Sequence, residues 1–362
     1  MADQHLREKF RIATSGARAM APFELDGNSF LAIPQLSSDA EGTPPGMNGG
    51  DSDTDLLLLR REGDAYVEYQ RLAVPGGEDA EFFRIGDAAF LATASIRSGH
   101  GPYTYQLDSQ IFRWDGAEFV PFQAVGTFAA KQWRHFSIGG RHFLALAQGV
   151  FLPHTKDDNR PSMIFEWVGE RFVPFQEIPS LWAYNWHFFE LAGQYFLAHA
   201  DNRDASRLYR WNGERFTPQQ TLIESEGRAF ADFTVDGERY LACAVIDGDS
   251  LLYRWDGGEF VRHQTLEGSG GRELAVLETA GGLFLVRVNF ITGGRENPTT
   301  DLRSQIYRWD AGKLTVVEEF TTWGGTDVAV LADGDDVLLA VSNSLTPDIH
   351  FSTESVIYRF EG

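Results

Sequence analysis

A single cysteine, Cys243, stands in 362 residues, so no disulfide forms within the chain and no paired-thiol motif is present. Positive charge is scarce as well. Against 52 acidic residues there are 31 lysines and arginines, and the net charge of −21 repels a nucleic-acid backbone or an anionic membrane rather than gathering it. No apolar stretch reaches the roughly eighteen residues of a membrane helix, and Met1 to Phe10 hold no hydrophobic run of the kind an export signal needs. The one Asn-x-Thr triplet, Asn297-Pro298-Thr299, is disqualified as a glycan acceptor by its proline. These absences predict a cytoplasmic monomer whose partners are neither nucleic acid nor membrane.

Catalytic signatures are missing too. The chain has no Gly-x-Ser-x-Gly elbow, no phosphate-cradling Gly-Lys-Ser/Thr loop, no His-Glu-x-x-His and no histidine pair at zinc spacing, which disfavours the familiar hydrolases and nucleotide enzymes.

What is present is repetition. The segments Phe23-Glu-Leu-Asp-Gly-Asn-Ser-Phe-Leu-Ala32, Phe83-Arg-Ile-Gly-Asp-Ala-Ala-Phe-Leu-Ala92 and Phe136-Ser-Ile-Gly-Gly-Arg-His-Phe-Leu-Ala145 share one pattern, two β-rich runs joined by a two-residue turn, and it recurs from Phe189, Phe233, Leu277 and Leu331. A second hairpin follows in each unit, as in Ile111-Phe-Arg-Trp-Asp-Gly-Ala-Glu-Phe-Val-Pro-Phe-Gln123. Units recurring every 44 to 60 residues, marked by Gly27, Asp87, Gly140, Gly193, Gly237, Gly281 and Gly334, fit the blades of a propeller. The fold class is therefore all-β: a single domain over 1–362, a seven-bladed β-propeller of four-stranded antiparallel blades. The last unit (324–362) ends after its third strand, and an N-terminal strand at about 8–13 is placed to complete it and close the ring.

The pattern Phe-x-x-Asp-Gly-x-x-Phe-Leu-Ala, followed by Arg-Trp-Asp-Gly and Phe-Val-Pro-Phe-Gln, resembles the EAR (epitempin, EPTP) repeat of the leucine-rich glioma-inactivated proteins. The resemblance spans essentially the whole chain. It implies a seven-bladed propeller, here as a stand-alone bacterial-type domain, with ions held in the axial channel and proteins as partners.

Tight turns occupy one face of such a disc. The connections between second and third strands share the other, and they are long at Ile33 to Asp55, Thr93 to Ser109, Leu146 to Ser162, Val288 to Ser304 and Ser342 to Ser355. Elaborated loops on a rigid scaffold are where binding resides. The innermost strands start at that face, and alternation there points polar residues toward the axis. Asp79, Asn185, Glu273 and Asp327 suit Ca²⁺ or another hard cation in the channel, with no organic cofactor expected. The Asp51-Ser-Asp53-Thr-Asp55 run has the start of a calcium loop, but Leu56 replaces the required glycine, which favours a solvated loop.

Two functional readings stand. The first is a non-catalytic binding module whose long-loop face and channel mouth take a protein or a small molecule, with Trp133, Trp186, Gln132, Trp182 and Trp323 as ligand contacts. The second is an enzyme of the cyclase, isomerase or alkyl-transfer type, acting on a small aromatic or polyketide-like metabolite through His187, Arg134, Glu81, Asp327, Lys131 and Tyr184. The other five tryptophans (Trp114, Trp167, Trp211, Trp255, Trp309) repeat at the third-strand position and are expected in the blade core.

Overall fold

A computed structural model describes residues 4–42, 45–152, 155, 158–334 and 336–362. The strands group into seven four-stranded antiparallel sheets, and no helix occurs among the described residues. Blades are numbered 1 to 7 along the chain and strands A to D from the axis outward.

The hairpin turns form as their sequences dictate. Asp26-Gly27, Gly139-Gly140, Ala192-Gly193 and Asp236-Gly237 all have positive φ at both central positions, the twist that matches a tight β-hairpin. Aromatic residues then fill the blades. On strands A and B the rings pair across each hairpin, Phe23 on Phe30, Phe83 on Phe90 and Phe136 on Phe143, with centroids 5.4 Å apart. Neighbouring blades stack in the same way, Phe23 on Phe82 at 4.2 Å and Phe136 on Phe188 at 4.5 Å. The core is thus a circular series of apolar clusters, each shared by two adjacent blades.

The glutamine in the fourth strand, which ends a Pro-Phe-Gln in blades 2 and 3, has a specific job. Gln70, Gln123, Gln176, Gln220 and Gln264 each accept the backbone N–H and donate to the carbonyl of one residue in the next blade, namely Phe119, Phe172, Phe216, Phe260 and Leu314. One side-chain amide thereby saturates backbone groups that the gap between sheets leaves unpaired.

The ring closes between the termini. Leu6–Ser15 pairs antiparallel with Ser352–Phe360 and becomes strand D of blade 7, outside Asp336–Asn343 and Gly325–Asp333. Its register runs from Leu6 opposite Phe360 to Ser15 opposite Ser352, longer at both ends than the strand expected from sequence. Ser352–Phe360 is thereby paired on both sides, with Asp336–Asn343 and with Leu6–Ser15.

Candidate functional site

The polar channel is built by a repeated irregularity. In blades 2, 4, 5, 6 and 7 the first step of strand A skips one residue in its pairing with strand B: Glu78, Tyr184, Arg228, Arg272 and Thr326. Such a bulge breaks the two-residue alternation and turns an extra side chain to the same side as its successor. The bulge needs a small residue before it. A Cβ on Gly271 would lie 2.7 Å from Ser250 Oγ and 2.8 Å from the Val245 carbonyl oxygen of the preceding blade. Arg18 and Lys131 occupy the same place in blades 1 and 3, just ahead of Ala21–Leu25 and Gln132–Ile138.

Three layers of side chains result. Nearest the long loops lie Arg18, Glu78, Lys131, Tyr184, Arg228, Arg272 and Thr326. Next come Ala19, Asp79, Gln132, Asn185, Ala229, Glu273 and Asp327, and then Ala21, Glu81, Arg134, His187, Ala231, Ala275 and Ala329. Most of these line one cavity of about 510 Å³, joined by Asp232.

The first layer closes the channel at its loop end. Arg272 crosses the axis, its guanidinium carbon 5.0 Å from the centre of the Tyr184 ring and Nη2 3.9 Å from Glu78 Oε2. Arg18 Nε approaches Glu78 from the other side at 3.6 Å. Arg228 stacks on Tyr184 at 4.0 Å, and Lys131 Nζ lies 5.5 Å from the same ring. Above this plug the connections of blades 1, 5, 6 and 7 bury Leu36, Met47, Ile246, Phe290, Ile291, Leu345 and Phe351 against one another. Arg295, in the blade 6 connection, reaches over Trp182 of blade 4 at 4.3 Å. Exposure rises away from this lid. Lys131 is 3% exposed and Thr326 1%, whereas Glu81, Arg134, His187 and Ala329 are half-buried. The channel therefore opens toward the tight turns, not toward the long loops where the sequence places its mouth.

Charge alternates with depth. The second layer holds three carboxyls with little compensation. Burial, then the neighbouring Glu81, pushes Asp79 up to about 7, and burial, then Asp327, pushes Glu273 up to about 8. Burial raises Asp327 as well. Two of these groups also fasten blades: Asp79 accepts the Trp133 N–H and Asp327 the Met20 N–H, each at 2.8 Å, and Gln132 accepts the Trp186 N–H at 2.6 Å. Asn185 Oδ1 is buried without a hydrogen-bond partner. An orphaned carbonyl oxygen beside unneutralised carboxyls is a donor set that suits a hard cation. As placed, Asp79, Glu273 and Asp327 do not converge. Among the described residues the acidic and histidine groups whose ligand atoms fall within 4.8 Å of one another are Asp51, Asp53 and His100, on the loop surface. A cation in the second layer would be held through water or would draw the carboxyls inward. Asp55 and Glu62 lie in strand 1C (Asp55–Glu62), so Asp51 to Glu62 is not one calcium loop.

In the third layer Arg134 Nη1 meets Glu81 Oε2 at 3.3 Å, and His187 Nε2 meets Asp232 Oδ1 at 2.5 Å, with Arg239 on the other oxygen of Asp232. Burial, then Arg134 and Arg239, hold the His187 imidazole down at about 3, so the neutral ring presents Nε2–H to Asp232.

The six residues singled out for acid–base work, His187, Arg134, Glu81, Asp327, Lys131 and Tyr184, all line this cavity, as does Gln132. The tryptophans do not. Trp133 and Trp186 are fully buried between blades, because the residue between two channel-facing positions points into the blade. Trp133 donates Nε1–H to the Thr93 carbonyl, and Trp186 packs on His199. Trp182 is buried beneath the loops near Tyr184, and Trp323 ends strand 6D (Lys313–Trp323) away from the cavity. Trp133 and Trp186 are therefore withdrawn as ligand contacts, while Trp182 and Trp323 lie on the loop side outside the cavity lining. Arg18, Glu78, Arg228, Arg272 and Asp232 were not foreseen. A small residue followed by a large polar one (Ala17-Arg18, Gly77-Glu78, Gly227-Arg228, Gly271-Arg272) is the signal that marks most of them.

Comparison with known proteins fixes the family. The EPTP domain model matches residues 66–115, 118–168, 171–212 and 215–256, just over half the chain. The chain belongs to the EPTP family. The first of these EPTP matches runs from strand 1D (Ala65–Ala73) to the end of strand 2C (Gln106–Trp114), the same outer-strand-first phase that the ring closure uses. The human thrombospondin-type laminin G domain and EAR repeat-containing protein is 33% identical over 153 residues, 41% of this EPTP chain, and the mouse protein of that name is 30% identical over 152. Leucine-rich repeat LGI family member 3 of Macaca fascicularis is 26% identical over 144 residues. These matches span about a fifth of each relative's length.

Proposed function

We propose that this EPTP propeller is a non-catalytic protein-interaction module, and that its partner docks on the long-loop face. The observation that carries the reading is the construction of that face. Connections from four blades share one buried apolar cluster and are cross-braced by backbone hydrogen bonds such as Gly16 N–H to the Phe351 carbonyl and Ser52 N–H to the Gly99 carbonyl, whereas the opposite face consists of tight hairpin turns, of four residues at Asp115 to Glu118, Asn212 to Arg215 and Asp256 to Glu259. A rigid platform whose loops differ from blade to blade is a surface on which specificity is cheaply varied. The relative whose printed name carries EAR repeats couples them with a thrombospondin-type laminin G domain, and the matched stretch is about a fifth of its length. A hard cation coordinated by Asp79, Asn185, Glu273 and Asp327 would act as a structural element in the channel. No reaction is assigned to the cavity, because Arg134 and Glu81 are paired with each other and the neutral His187 ring is hydrogen-bonded to Asp232.

The test reverses charge at exposed positions of each face. Glu296→Lys and Asp348→Lys on the loops are expected to weaken partner binding without moving the melting temperature, while Glu170→Lys and Asp236→Lys on the turns leave binding intact. Loss of binding from the turn variants alone would overturn the assignment of the face.

A further inference from the structure

The loop-end plug of the channel gathers five cations in a protein whose net charge is −21. Arg18, Lys131, Arg228, Arg272 and Arg295 surround Glu78 and the Tyr184 phenol, with Glu226 acting on Arg228 and the next layer's Glu273 and Asp327 on Arg272. The contacts they make are incomplete. Neither arginine reaches hydrogen-bond distance of Glu78, at 3.6 and 3.9 Å. Arg228 is spent on Asn202 Oδ1 at 2.5 Å. Lys131 Nζ has no hydrogen-bond partner although the residue is 3% exposed, and Arg18 Nε is likewise buried and unsatisfied. Lys131, Arg18 and Arg272 all line the cavity. An unpaired buried ammonium costs several kcal/mol unless something completes it.

We propose that this cationic floor is an oxyanion site, which receives the phosphate or carboxylate group of a small molecule entering the channel from the tight-turn face. Three donors from blades 1, 3 and 6 converge on the end of a cavity much larger than the anion itself, so the rest of the ligand lies among the second and third layers. Tyr184 lies among the same cations, its ring 4.0 Å from the Arg228 guanidinium, 5.0 Å from that of Arg272 and 5.5 Å from Lys131 Nζ. An oxyanion bound among those cations competes with the phenolate for them. This site is separate from the loop-face surface proposed above and stands or falls without it.

The test is a titration of the whole chain with inorganic phosphate, and in parallel with acetate, at ionic strength held constant with chloride. The expected result is saturable stabilisation by phosphate or acetate beyond chloride, together with an upward displacement of the Tyr184 phenol titration followed by tyrosinate absorbance. Lys131→Met is expected to bind the anion at least about tenfold more weakly, the loss of one charge-assisted hydrogen bond. It is also expected to melt higher than wild type without anion, since it removes an unpaired charge. Arg272→Gln serves as a second variant with the same expected loss of binding. Identical melting and phenol titration in phosphate, acetate and chloride would overturn the proposal, as would undiminished binding by Lys131→Met.

Discussion

Asp79→Asn should stabilise the protein in a manner set by pH. The Asp79 carboxyl sits in the second layer of the channel, where burial and then Glu81 raise it from 3.8 to about 7, against the pull of the Trp133 amide and Arg134. A carboxyl raised in the folded state keeps its proton longer than in the unfolded chain. Its contribution is complete below the ordinary carboxyl pKa and is lost as pH climbs through the folded value, here between about 4 and about 7. Those roughly three pH units, at about 1.4 kcal/mol each, set a ceiling of about 4 kcal/mol. Asparagine has the same shape and keeps an oxygen for the Trp133 N–H now accepted at 2.8 Å. It has no proton to lose. Urea unfolding of both proteins, with a chelator present, should give matched stabilities near pH 4 and a gap in favour of the variant that grows to a plateau above about pH 7. The buried histidines His135, His187 and His199 are common to both proteins and drop out of the difference. A gap independent of pH, or a variant less stable than wild type near pH 8, would refute the reasoning, because either result requires Asp79 to be ionised and well compensated. Restoring Ca²⁺ should narrow the gap if the second layer holds a hard cation.

Gly271→Ala should cost about 1–3 kcal/mol, read from the urea midpoint, because its Cβ would meet the Val245 carbonyl oxygen at 2.8 Å with no flexible atom to yield. Trp186→Ala should cost about 3–5 kcal/mol through the cavity left by a fully buried indole, and should not alter anion binding at Lys131. Removing residues 1–15 strips strand D from blade 7 and bares the edge of Ser352–Phe360, so size-exclusion chromatography should show self-association. Thiol reagents should label Ala329→Cys, at the open end of the channel, much faster than Thr326→Cys at the plugged end, whereas Cys243 stays inert in its blade core.

The propeller was legible because each blade repeats the same local decisions. Asp26-Gly27 and its copies impose the hairpin in all seven blades, Phe23 and Phe30 and their aromatic copies the ring stack in the first five, and Gln70 and its copies the link to the next blade in five; any one would be ambiguous, but together in phase they are not. Lys131 and Tyr184 apart, the first layer of the channel was not legible, for a physical reason. Strict alternation assigns one residue in two to the axis, and the bulges at Glu78, Tyr184, Arg228 and Arg272 place two consecutive residues there. Trp133 and Trp186 were taken as ligand contacts because they sit beside Lys131, Arg134, Tyr184 and His187 in sequence, although alternation turns them away from the channel and into the blade core. The direction in which the channel opens depends on Phe290, Leu345 and Phe351 folding inward over the axis, a contact between blades that no single loop sequence encodes.

The loop face as the binding surface is tested most directly by site-specific photocrosslinking, with the probe placed at Glu296 or Asp348 on the loops and at Glu170 or Asp236 on the turns, all exposed positions. Covalent capture of one and the same protein from both loop positions and from neither turn position is the predicted result. Capture from the turn positions, with the loop probes silent, would contradict it.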